Sequence, residues 1–114
     1  MLALLANSAT GFASVTNVCK CTGNQGKAAQ QSYYPVDMGN YCTPWDATTS
    51  TSCVGTSPPS WCADSWCYTS SQCPGAAAGT YFSAQSGPQL YYNYNVCGAT
   101  DSYTGTSSDP NASG

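Results

Sequence analysis

Eight cysteines in 114 residues, with no histidine beside them, constrain this chain more than any other feature. Metal binding by cysteine alone needs paired Cys-x-x-Cys knuckles, and Cys19-Lys20-Cys21 is spaced too tightly for one. The economical expectation is therefore that Cys19, Cys21, Cys42, Cys53, Cys62, Cys67, Cys73 and Cys97 form four disulfides in an oxidising compartment outside the cytosol, with no metal and no cofactor. Connectivity stays open, since eight cysteines allow about a hundred pairings. A short bridge between Cys67 and Cys73 is the preferred local one, with Cys19 and Cys21 reaching distant partners.

Cross-links are needed because aliphatic core material is scarce. Leu, Val and Phe number eleven together and Ile is absent, while three tryptophans and nine tyrosines are present. Poverty in such residues usually marks disorder, but the high net charge that accompanies disorder is missing, at −3. Aromatic rings and disulfides are expected to hold one domain together.

Charge excludes further classes. There is no arginine, and Lys20 and Lys27 are the only lysines, so the chain has no electrostatic footprint for a phosphate backbone or an anionic membrane surface. No apolar run is long enough to span a bilayer, and the opening MLALLANSA resembles at most a truncated secretory signal. Serine and threonine number 29, giving a neutral hydroxyl surface poorly protected against self-association unless sugars cover it.

The chain divides into an arm (1–18), a cysteine-rich domain (19–98) and a Ser/Thr-rich tail (99–114). The domain is expected to be irregular and β, with one short helix and a C-terminal β-hairpin. Ser57-Pro58-Pro59 has the composition of a helix start, after which Cys62 and Trp66 share a helical face. Thr80–Ala84 and Leu90–Cys97 flank the turn cluster Ser86-Gly87-Pro88 as the two strands of the hairpin. Within the second strand, Leu90, Tyr92, Tyr94 and Val96 fall on one face. Thr48–Thr56 reads as an exposed loop closed through Cys53.

Proton-moving groups are few. Without histidine or glutamate, acid-base chemistry would fall on Asp37, Asp46, Asp64, Asp101 or Asp109, whose contexts are those of turn residues. No catalytic residue is assigned, and the chain is not expected to be an enzyme. The tryptophans have two readings. Trp45, Trp61 and Trp66 are either the core in place of absent Leu and Ile, or a stacking surface for sugar rings. Asn111-Ala112-Ser113 is an acceptor sequon for N-linked glycan, and Thr48, Thr49, Thr51, Thr104, Thr106, Pro58 and Pro59 lie in clusters suited to O-linked sugars on hydroxyls or modified proline.

The order Cys19-Lys-Cys21-Thr-Gly23, Tyr34-Pro35-Val-Asp37-Met-Gly39-Asn-Tyr-Cys42-Thr-Pro-Trp45-Asp46, Pro58-Pro59-Ser-Trp61-Cys62, Trp66-Cys67-Tyr68 and Tyr91-Tyr92-Asn-Tyr94-Asn-Val-Cys97-Gly98 resembles a cysteine-rich extracellular domain of secreted and surface proteins in diatoms, dinoflagellates and other algae or protists. The likeness spans Cys19 to Gly98 and departs after Tyr68, where this chain carries Thr69 to Gln72 in place of Val-Asp-Pro and a denser cysteine cluster. It implies an extracellular domain and no agreed activity. The expectation is a secreted, glycosylated structural protomer, with copies of itself and covalent glycans as partners. Leu2, Leu4, Leu5, Phe12 and Val15 would either fold the arm over its own domain or dock it on the next subunit, the second making a fibril or surface filament. The alternative is a carbohydrate-binding or adhesion module using the tryptophans.

Overall fold

The structure, a computed structural model, describes residues 19–104. The arm with Leu2, Leu4, Leu5, Phe12 and Val15, and the sites Thr106, Asp109 and Asn111, lie outside the described residues. A small antiparallel sheet forms the centre: β1 (Cys67–Thr69), β2 (Ala77–Ala78) and β3 (Tyr91–Asn93), in the order β1-β3-β2. One turn of α-helix, α1 (Asp46–Thr49), and four single-turn 3₁₀ segments, Ala28–Gln30, Thr51–Cys53, Ser60–Ala63 and Asn95–Cys97, complete the regular structure.

Side-chain alternation on these strands divides the molecule into two layers. In register, Tyr68 opposes Tyr92 and Ala77 opposes Tyr92, so these side chains share one face. That face carries the main core of Trp66, Tyr68, Tyr92, Tyr94, Phe82, Leu90, Met38, Trp45 and Ala28. Its rings meet mainly edge to face, with Trp66 at 5.1 Å from Tyr68 and 6.2 Å from Tyr92, and Tyr92 at 5.8 Å from Tyr94. Such pairs are worth about 0.5–1.5 kcal/mol each beyond their buried area. The opposite face carries Cys67, Thr69 and Asn93, and the disulfides begin there.

The periodicity expected for Leu90, Tyr92 and Tyr94 is present, and all three are buried, whereas Val96 is half-buried in the 3₁₀ turn after β3. The expected hairpin partner is different. Thr80–Ala84 is not a strand but a turn, with Ser83 N donating to Thr80 O and Gln85 N to Phe82 O. Consecutive strand residues point to opposite faces, yet Tyr81 and Phe82 both pack inward, and a turn allows what a strand forbids. β3 pairs instead with β1 and β2.

The expected helix is also shorter. Pro59 caps the 3₁₀ turn Ser60–Ala63, which stops before Trp66. Trp61 and Cys62 belong to a second small cluster with Cys53, while Trp66 enters the main core and pairs with Thr43. A continuous helix would hold Cys62 and Trp66 on one face and could not serve both clusters. The α-turn falls at Asp46–Thr49, overlapping the segment expected to be loop.

Three disulfides close the domain: Cys21–Cys67, Cys42–Cys97 and Cys53–Cys62. The first two join residues 46 and 55 apart in sequence. In the chain-entropy model each of these contributes about 4 kcal/mol. The local bridge expected between Cys67 and Cys73 does not form. Thr22 N donates to Tyr68 O at 2.8 Å, which lays residue 21 beside β1 and delivers Cys21 to Cys67.

The other edge contacts of β1 are covered too. Tyr68 N donates to Gly39 O at 2.9 Å and Trp66 N to Thr43 O at 3.2 Å. Gly39 has φ +79°, and a Cβ there would collide with the Tyr68 ring. Gly39→Ala therefore incurs both backbone strain and a clash with a ring that cannot move, at a cost of about 3 kcal/mol, read as a lowered denaturant midpoint in equilibrium unfolding.

Candidate functional site

The strongest polar constellation is centred on Asp46, the first residue of α1, which has no exposed surface. Its Oδ1 accepts from the Tyr81 hydroxyl at 2.6 Å, and its Oδ2 accepts from the Tyr94 hydroxyl at 3.1 Å and from Trp66 Nε1 at 3.2 Å. The aromatic rings fill the core and their polar tips converge on one carboxylate. A turn aspartate was the expectation for Asp46. Its four-residue separation from Cys42 and its place beside Trp45 give no hint of partners 20, 35 and 48 residues downstream.

With no exposed surface, the Asp46 carboxylate serves as a shared acceptor inside the core. The remaining described aspartates are engaged as turn and surface groups. Asp37 accepts from the Tyr41 hydroxyl at 2.8 Å, Asp64 from Ser102 Oγ at 3.1 Å, and Asp101 from the backbone N–H of Tyr103 and Thr104. Residues 99–104, expected to start the tail, thus pack on the domain, and the Tyr103 ring lies 5.0 Å from Trp61 and 5.8 Å from Tyr92.

All three tryptophans are buried, at 7% exposure for Trp45, 4% for Trp61 and 0% for Trp66. The stacking surface they were expected to offer in the carbohydrate-binding alternative is therefore not on the surface. They take the places that Leu and Ile would fill. Among the described residues, the large apolar side chains that face outward are Tyr33 at 84% exposure, Val36 at 68%, Val54 at 66% and Tyr41 at 50%.

Three of these four fall within one ordered stretch. Gln31 Oε1 accepts from the backbone N–H of Tyr33 and Tyr34, Met38 N donates to Pro35 O, and Asn40 N donates to Asp37 O. Asn24 Nδ2 donates to the carbonyls of Val36 and Met38 at 3.0 and 2.9 Å. Met38 goes fully into the core and Tyr34 packs against it, which leaves Tyr33, Val36 and Tyr41 outside. Tyr41 is held by its bond to Asp37 and by the Trp45 ring at 4.9 Å. Burial elsewhere fixes a loop that presents apolar groups to solvent.

A shallow groove of about 350 Å³ runs beside β1 and β3, between Thr22, Thr69, Ser70, Gln89 and Tyr91, and every residue lining it is uncharged. Of the two cations, Lys20 is exposed but Lys27 is buried, its Nζ 3.5 Å from Phe82 O. The sulfurs of Cys21, Cys42, Cys67 and Cys97 lie within 4.8 Å of one another, but all four are consumed in S–S bonds and present no thiolate to a metal. Cys19 and Cys73 carry free thiols.

Among the sites considered for sugars, Thr48, Thr51, Pro58, Pro59 and Thr104 are exposed. The Thr49 hydroxyl instead donates to Trp45 O at 2.7 Å. Comparison with protein-family models, with curated proteins and with solved structures returned no match. The arrangement itself carries the functional argument.

Two outcomes test the carboxylate centre. Asp46→Asn replaces an acceptor oxygen with a donor facing phenol or indole donors, and should lower stability by about 2–3 kcal/mol, measured by denaturant unfolding. Burial pushes Tyr68 and Tyr81 well above the ordinary tyrosine value, with the Asp46 charge adding to both, and burial pushes Tyr92 up to about 12. The folded state therefore holds protons that the unfolded chain releases from about pH 10 upward. The stability this provides is complete below that pH and is lost as pH rises through the folded values. Ultraviolet absorbance of tyrosinate should show a late-titrating class that ionises together with loss of near-ultraviolet circular dichroism.

Proposed function

We propose that this chain is a secreted, glycosylated structural protomer, joined head to tail into an extracellular fibril or surface filament. Residues 1–18 of one copy would dock on the outward-facing Tyr33, Val36 and Tyr41 of the next. The observation that carries this reading is the pinned loop with three apolar side chains in solvent on a domain otherwise short of both apolar and charged residues. Ordered apolar groups outside a core mark contact surfaces, and their preorganisation lowers the entropy cost of binding.

The occupant follows from what the chain has left over. Leu2, Leu4, Leu5, Phe12 and Val15 are nearly half of its eleven Leu, Val and Phe residues, and they precede the described domain. Eighteen extended residues reach about 60 Å, enough to cross to a neighbouring copy. A contact between different patches on two copies repeats without closing, which yields filaments. Low charge removes the repulsion that keeps most soluble proteins apart.

Three disulfides, the absence of a membrane-crossing helix among the described residues and the resemblance to algal extracellular domains all accord with a secreted home. Exposed Thr48, Thr51, Pro58, Pro59 and Thr104, with Asn111 and Thr106 beyond the described residues, are the positions proposed for sugars. A saccharide-binding role would use a surface such as the neutral groove at Tyr91 rather than the buried tryptophans.

Removing residues 1–16 should leave a folded monomer that no longer assembles, followed by sedimentation and electron microscopy. Filaments from the shortened chain would sink the proposal. Tyr33→Ser combined with Val36→Ser should weaken assembly of the full chain by at least tenfold in critical concentration while leaving its unfolding midpoint unchanged.

A further inference from the structure

We propose that Cys19 and Cys73, free thiols in direct side-chain contact, are the two halves of a fourth disulfide that clamps the start of the described domain to the turn that follows β1. Six of the eight cysteines are already bonded, and the remaining two hydrogen-bond to each other although 54 positions separate them. The pocket around them is built from the cross-linked layer. The Cys73 sulfur also meets the side chains of Asn93 and Thr69, and it lies 3.7 Å from Pro74 O. Asn93 Nδ2 donates in turn to Pro74 O at 3.1 Å, which holds the Cys73–Pro74 turn against β3. Oxidation would add a bond where contact already exists.

The location gives the bridge a consequence. Cys21 is bonded to Cys67 at the start of β1, and Cys19 reaches Cys73 beyond the end of β1. Two bridges leaving the chain two residues apart would fix both the position and the direction of the backbone at residue 19. Any pull entering from residues 1–18 would then pass into the sheet through two covalent links. The bridge stands whether or not the chain polymerises.

Formation requires an oxidant, and a small-molecule disulfide is sufficient. The thiolate of Cys19, which is half-exposed, attacks one sulfur of the oxidant, forms a mixed disulfide and releases one thiolate. Cys73 then attacks the Cys19 sulfur, forms the internal bond and releases the second. Two protons leave the protein, and two electrons reduce one oxidant disulfide to two thiols. The groups facing the Cys73 sulfur are Cys19, Asn93 and Thr69, with Cys19 the titratable one. Burial, the largest cause that pushes the Cys73 thiol up, persists when Cys19 is in the mixed disulfide, so the second step draws on a small thiolate fraction at neutral pH. Ring closure should therefore accelerate by roughly tenfold or more between pH 7 and pH 9.

Peptide mapping of the full chain settles the matter. Oxidised glutathione is added to the purified protein, remaining thiols are alkylated without reduction, and the chain is cut with trypsin and chymotrypsin. Cleavage after Lys20 separates Cys19 from Cys21, and cleavage after Tyr68 separates Cys67 from Cys73. The expected product is a Cys19 peptide linked to a Cys73 peptide, with a loss of about 2 Da from the intact dithiol chain. Cys73→Ser should stop at the Cys19–glutathione mixed disulfide, or leave Cys19 open to alkylation where no oxidant is added, with the other three bridges in place. Linkage of Cys19 to any other cysteine of the same chain, alkylation of both thiols after oxidant treatment, or protection of Cys19 in a Cys73→Ser chain that has met no oxidant would overturn the proposal. A closure rate unchanged between pH 7 and pH 9 would overturn the assigned order of attack.

Discussion

The hydrogen bonds converging on Asp46 are the interaction on which the rest of the domain depends. A core built from Tyr and Trp has a difficulty that a core of Leu and Ile does not, because each buried phenol or indole brings a donor that must be satisfied. Tyr81, Tyr94 and Trp66 resolve it by sharing one carboxylate, which joins α1, the turn before β3 and the segments bracketing the sheet. Hydrogen bonds to a charged acceptor are stronger than neutral ones, and in a dry interior the difference grows. The same arrangement makes the carboxylate a liability if any donor is withdrawn.

Disulfides perform a separate task. The aromatic layer fills one face of the sheet, and two of the three bonded pairs begin on or beside the other. Cys21–Cys67 and Cys42–Cys97 lie close enough that the Cys21 and Cys42 sulfurs are 3.9 Å apart. Three strands of two or three residues would be marginal in water without such links. Cross-links limit the unfolded chain, while rings and hydrogen bonds select one packing from those that remain. The outcome leaves apolar groups at Tyr33, Val36 and Tyr41 with no place inside, because Met38 and Tyr34 already occupy the adjoining interior.

Some of this was legible in the residues. Alternation at Leu90, Tyr92 and Tyr94 identified the buried face of β3, since the period of a strand is local and depends on no partner. Proline marked Pro58-Pro59 as the start of a helical segment, which is the single 3₁₀ turn Ser60–Ala63, and glycine and proline marked the break at Ser86-Gly87-Pro88. The partner of β3 was not legible. Thr80–Ala84 is near in sequence and has strand-forming residues, but Phe82 and Tyr81 are both worth more to the core than either is to a ladder. The short α1 was hidden within a threonine-rich stretch because its first residue is recruited by groups far along the chain.

The sequence by itself determined that this protein would be small, cross-linked, nearly uncharged and dependent on aromatic rings, because counts of residue types need no geometry. It also determined that the chain has no histidine and no arginine and only two lysines. Only the tertiary structure decided which cysteines meet, which aspartate goes inside, and that the tryptophans are core rather than surface. Those outcomes depend on contacts between residues tens of positions apart. The free energy of such contacts comes from closing long loops and satisfying buried donors together, and neither quantity is carried by any local stretch of the chain.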